Sequence, residues 1–256
     1  MRNSLISISI HMASSAPDLT SRILRHERWV VAGSIALLIA LSWWFLASGA
    51  GMGDAVAMPG MQPPLTALML MWWLMMLAMM LPSAAPAILL YSRVRQVRGD
   101  DPQIAPTWLF FAAYLFVWLL FSVGAASLQH VLAGPSMALE QRSAAAILLI
   151  AAGAYQLSPL KAACLRECRS PAQFISRHWQ PGIRGALRLG SLHGAYCLGC
   201  CWALMALLFV GGVMNFAWIA GLTVIVGIEK LASRGDLIGR AVGAGLIVWG
   251  GALLLS

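Results

Sequence analysis

Charge is what this chain has least of. Its 9 Asp+Glu and 17 Lys+Arg make up 10% of 256 residues, against roughly 25% in a soluble domain. Hydrophobic residues fill 60%, more than a soluble fold of this length has interior to hide. These proportions exclude an ordinary cytosolic enzyme and a disordered chain. Cysteine is absent outside positions 164–201, which excludes a secreted disulfide scaffold. Also missing are a Walker loop, a nucleotide fingerprint, a metalloprotease helix and a nucleophile elbow, so no catalytic motif is legible. The formal charge is +8, but no basic stripe interleaved with aromatics suggests a nucleic-acid partner.

What remains is a pattern of long apolar runs, and it predicts an all-α, polytopic helical membrane protein with the lipid bilayer as its partner. Seven runs can be drawn, at about 29–48, 65–90, 107–129, 143–160, 187–210, 213–230 and 237–255, each sized for ~30 Å of hydrocarbon. The fifth and sixth meet at Gly211–Gly212, which predicts a tight hairpin. With seven spans, every one of the 17 Lys+Arg except Arg142 falls on the same side. By the positive-inside rule that side is the cytoplasm. The expected topology is N-terminus in and C-terminus out, in a bacterial inner membrane. Residues 1–28 read as a basic cytoplasmic segment and 29–256 as one helical membrane domain, with no cleaved signal. The 161–186 loop has room for a short interfacial helix. Nothing in the sequence speaks to oligomeric state.

The five cysteines fall in two groups. Cys164 and Cys168 form a C-x3-C pair just past the fourth run, on one face if helical. His193, Cys197 and Cys200 open the fifth run. At about 100° per residue they share a narrow helical stripe, with Cys201 beside it. Thiolates and imidazole suit soft or borderline metals, copper(I) above all and zinc as a second choice. The expected metal site is therefore Cys164, Cys168, His193, Cys197, Cys200 and Cys201. Cysteine also serves as a small apolar packing residue. A membrane thiol redox enzyme is the alternative use, disfavoured because both groups face the reducing side. A scaffold or assembly factor without metal is the third reading.

The second run is rich in methionine. Met69, Met76 and Met80 share an arc of ~40°, and stacked thioethers are a candidate copper(I) relay, although methionine is equally a packing residue beside Trp72 and Trp73. Met52, Met58 and Met61, with Asp54, form a candidate outer entry point. Pro82 and Pro86 each remove a backbone donor and should kink this helix. Glu229 is expected to pair with Lys230 or Arg234.

Three blocks together resemble a known bacterial family. They are Trp72–Pro86, the Tyr155-Gln-Leu-Ser-Pro-Leu-Lys-x2-Cys164-Leu-x2-Cys168-Arg-Ser-Pro171 segment, and His193-Gly-x2-Cys197-x-Gly-Cys200-Cys201-Trp202. The family is that of predicted metal-binding integral membrane proteins of unknown function, some labelled copper chaperone. The resemblance covers roughly residues 65–235. It implies a metal and a membrane, and with them a copper-donating or copper-receiving partner protein.

Overall fold

The computed structural model describes residues 19–49, 64–98, 105–132, 141–213 and 215–255. They are helical almost throughout, and no strand occurs among them. In chain order the helices are α1 (Leu19–Ser48), α2 (Leu65–Arg98), α3 (Ala105–Leu132), α4 (Arg142–Gln156), α5 (Pro159–Arg169), α6 (Pro171–His178), α7 (Gly182–Ala206), α8 (Leu208–Gly211), α9 (Phe216–Leu231) and α10 (Gly235–Leu255). Helix α1 packs on α2, α2 on α3, and α3 on α7, while α5 lies against α7 and α4 pairs with α10.

Among the described residues, five stretches are long and apolar enough to cross a membrane: Arg28–Ser48, Leu65–Arg98, Pro106–Val131, Gly182–Gly211 and Gly235–Leu255. Helices α4 and α5, bent by 62°, make a sixth if taken as one broken span. Helix α9 has 16 residues, about 24 Å at 1.5 Å per residue, short of the ~30 Å of a bilayer core. Each of the seven apolar runs thus has a helical counterpart, but the fourth and sixth are shorter than a full span. The outward surface is apolar, with Leu41, Trp44, Phe116, Leu120, Val224 and Val248 all exposed.

The α4–α5 bend follows from Ser158-Pro159. A residue before proline is pushed out of the helical region, and Ser158 is extended at φ −73°, ψ 148°. Its hydroxyl then accepts from the Lys161 amide and caps α5, with Pro159 in the first turn where no donor is needed. This turns the residues that would continue α4 back over α7 and carries Cys164 and Cys168 toward the fifth run. The 161–186 segment holds two helices, α5 and α6, where one was expected.

Inside α2 the two prolines are absorbed within one continuous helix. Pro82 leaves the Ala78 carbonyl without its usual partner, and the Trp43 indole N–H of α1 donates to it at 3.1 Å. The expected tight turn after the fifth run is present: α8 ends at Gly211, Gly212 adopts φ +86°, and Asn215 caps α9 by accepting from the Trp218 amide at 3.2 Å.

Helices α4 and α10 meet through glycines. A Cβ on Gly153 would lie 2.6 Å from the Gly243 carbonyl oxygen and 2.7 Å from Ile247 Cγ1. We expect Gly153→Val to destabilise the protein by about 1–3 kcal/mol, because overpacking against backbone cannot relax by rotamer change alone. The unfolding midpoint in detergent micelles measures it.

Candidate metal centre

The sulfur residues converge where α2, α5, α7 and α9 meet. One turn of α7 supplies Cys197, Cys200 and Cys201, all buried. The Cys200 and Cys201 thiols donate back to the Cys197 carbonyl at 3.1 and 2.9 Å. From α5, Cys168 Sγ lies 3.8 Å from Cys200 Sγ. From α2, Met80 Sδ lies 3.7 Å from Cys201 Sγ. Two sulfurs bound tetrahedrally to one ion at ~2.3 Å stand about 3.8 Å apart, so both pairs already have that separation.

Against Met80 and Cys197 sits an ammonium group that the sequence reading took only as a partner for Glu229. Lys230 of α9 reaches inward and places Nζ 3.0 Å from Cys197 Sγ, 3.8 Å from Met80 Sδ and 3.3 Å from Ser83 Oγ. It is 6% exposed. The Tyr114 hydroxyl of α3 stands 3.3 Å from Cys197 Sγ. Among the described residues, no three His, Cys, Asp or Glu side chains converge closely enough to hold a metal ion as they stand.

Cys164 lies at the edge of this group, its sulfur against Gly199 of α7. The Tyr155 hydroxyl donates to the Gly199 carbonyl at 2.5 Å, tying α4 to the same turn. His193 is one turn below Cys197, in an aromatic cage. Its ring centroid is 5.4 Å from Phe174, 5.7 Å from Tyr114 and 6.1 Å from Phe110. Its Nδ1 is buried with no hydrogen-bond partner, which leaves a polar atom unsatisfied beside the thiols.

Of the methionine stripe, Met80 joins the sulfur group. Met76 is buried and Met69 half-buried, about 6 and 16 Å further along the α2 axis at 1.5 Å per residue. Met52, Met58, Met61 and Asp54 lie outside the described residues. Glu229 pairs with neither Lys230 nor Arg234. Its carboxylate takes the Lys161 ammonium at 2.5 Å and the Gln156 amide at 2.7 Å. Lys161 also donates to Gln156 Oε1, which closes a buried triad next to the sulfur group.

Because α5 packs on α7, mild oxidation should join Cys168 to Cys200 ahead of any pairing through Cys164. Their sulfurs need move only from 3.8 Å to about 2.05 Å. Peptide mapping of the oxidised protein reads the linkage, and a dominant Cys164 bridge would contradict it.

The chain is thus an all-α bundle with thiols and a thioether gathered at one level and an unsatisfied imidazole one turn away. Residues 69–253 match the PpoB2 family, described as copper chaperone, and the chain belongs to that family. No curated protein and no solved structure matches it.

Proposed function

We propose that this chain is a multi-pass inner-membrane protein of about seven spans that receives copper(I) and hands it on through a thiol–thioether nest. Cys168, Cys197, Cys200, Cys201 and Met80 form the nest, with Cys164 and His193 at its edge. The observation that supports this reading is the two sulfur pairs, at 3.8 and 3.7 Å, with the Lys230 ammonium against Cys197 and Met80. Within each pair the sulfurs are spaced as two ligands of one ion, and a cation already lies against the Met80 thioether and the Cys197 thiol. Copper displaces the thiol protons, and Lys230 swings toward Ser83 as the metal enters. A thioether in the set favours copper(I) over zinc, which takes thiolate, imidazole and carboxylate instead. The exposed apolar belt of Leu41, Trp44, Phe116 and Val248 supports the bilayer, because a soluble monomer rarely shows a continuous apolar surface of this extent.

The partner is a protein that gives or takes copper(I), and its docking face is the end of the bundle bearing α5 and α6. Elemental analysis of purified protein loaded with copper(I) under reducing conditions tests the reading. Cys200→Ser combined with Cys201→Ser should reduce bound copper to the level of a variant lacking all five thiols, since each of the two sulfur pairs then lacks one member. Undiminished copper in a folded double variant would overturn it.

A further inference from the structure

A second site lies apart from the sulfur nest, in a cavity of about 500 Å³ at the α4–α5 bend. That volume falls within the ~300–1,000 Å³ typical of ligand pockets. Its polar lining is Gln156, Ser158, Lys161, Arg166 and Arg169 on one wall and Asp236 and Arg240 of α10 on the other. Four cations thus face one carboxylate. Two of the cations are spent inside the fold. Lys161 is held by Glu229 at 2.5 Å. Arg169 bonds Asp236 at 3.1 Å and the Ala232 and Ser233 carbonyls at 2.8 and 2.7 Å. That network anchors the α9–α10 connection and uses up the only carboxylate on the wall.

Arg166 and Arg240 remain. Among the described residues neither guanidinium makes a hydrogen bond or an ion pair, although Arg240 feels Asp236 through space. They come from different helices and border the same cavity, which gives two planar forks suited to the oxygens of one phosphate group. The cavity is also lined by Leu157, 48% exposed, and Leu160, next in sequence to the lining Pro159 and Lys161, is 64% exposed. A basic cavity that opens beside lipid-facing leucines matches a phospholipid, with its headgroup inside and its chains along α4.

We propose that this cavity binds a phosphate group through Arg166 and Arg240, supplied by an anionic phospholipid headgroup or by free phosphate. Basic pockets between membrane helices on the positively charged side commonly hold anionic headgroups. The site needs no copper, and its failure would leave the sulfur nest untouched.

The test uses the full chain in mild-detergent micelles. Phosphatidylglycerol and, separately, phosphatidylcholine are titrated in, and bound lipid is counted by native mass spectrometry. Inorganic phosphate is titrated without lipid against the thermal midpoint. The expected result is a phosphatidylglycerol adduct that survives conditions stripping phosphatidylcholine and falls about tenfold or more in R166Q/R240Q, as expected when two charged hydrogen-bond donors are lost. Both arginines are exposed, so the variant should fold. R184Q/R188Q removes equal charge from an exposed face of α7 and should leave the adduct unchanged. Ala162→Trp fills the cavity without altering charge and should also abolish the adduct. A midpoint raised by inorganic phosphate and lost in R166Q/R240Q, without preference between the lipids, supports the same site with free phosphate as its ligand. Equal losses in the two arginine pairs reduce the effect to net charge and overturn the site. So does the absence of any response to either probe.

Discussion

Replacing Lys161 by methionine should destabilise the protein by about 3–5 kcal/mol, the cost of leaving one member of a buried ion pair without its partner. Lys161 and Glu229 are 2% and 1% exposed, and their contact, at 2.5 Å, joins α5 to α9. Methionine matches the length of the lysine stem but supplies no charge, so the Glu229 carboxylate would keep only the Gln156 amide. Introducing Glu229→Gln in the same chain removes the stranded charge. The double variant should recover most of the loss, because a buried pair replaced as a whole is often close to neutral. Chaotrope unfolding in micelles, followed by tryptophan fluorescence, reads all three chains. A double variant no more stable than the Lys161 single variant would show that the triad contributes through its hydrogen bonds rather than its charges.

Lys230→Leu should make the protein hold copper(I) more tightly and release it more slowly. The Lys230 ammonium, 3.0 Å from Cys197 Sγ and 3.8 Å from Met80 Sδ, stands against two of the sulfurs that the ion would bind. Two unit positive charges 4 Å apart repel by about 4 kcal/mol at an effective dielectric constant near 20. Lys230 can retreat toward Ser83, which relieves part of that, so an affinity gain of about tenfold is a conservative expectation from the same Coulomb estimate. The lysine then acts as a resident competitor that keeps bound copper exchangeable, which suits handover better than storage. Competition with a calibrated copper(I) chelator measures the affinity, and stopped-flow transfer to that chelator measures the release rate. Weaker binding in Lys230→Leu would reverse the role and make the ammonium a support for the thiolate ligands.

Much of the nest was legible in the one-dimensional pattern, because a helix converts spacing into direction. Cys197 and Cys200 share a stripe by arithmetic alone, and Cys164 with Cys168 share a face for the same reason. Spacing within a helix says nothing about which of two candidates meets the next helix. The α4–α5 bend delivers Cys168 to Cys200 at 3.8 Å and leaves Cys164 against Gly199. His193 shares the thiol stripe, but Phe174 of α6 and Phe110 of α3 close around its ring, and both arrive from distant parts of the chain. Met80 could be placed on a methionine face from sequence, yet only the packing of α2 against its neighbours α3 and α9 brings it to Cys201.

The seven apolar runs, the helical class and the cysteine register were determined by the sequence itself, since composition and period act locally along the chain. Glu229 and Lys230 show where local reasoning ends. As neighbours in sequence they invite pairing, but successive side chains on a helix point about 100° apart and do not face each other. One therefore turns to Lys161 and Gln156 and the other to the sulfurs. Which surroundings each met was decided by the 62° bend that folds α5 over α7 beside α9. That bend begins at a single Ser-Pro step, but the surfaces it brings together come from four helices, and only the tertiary structure could place them in one site.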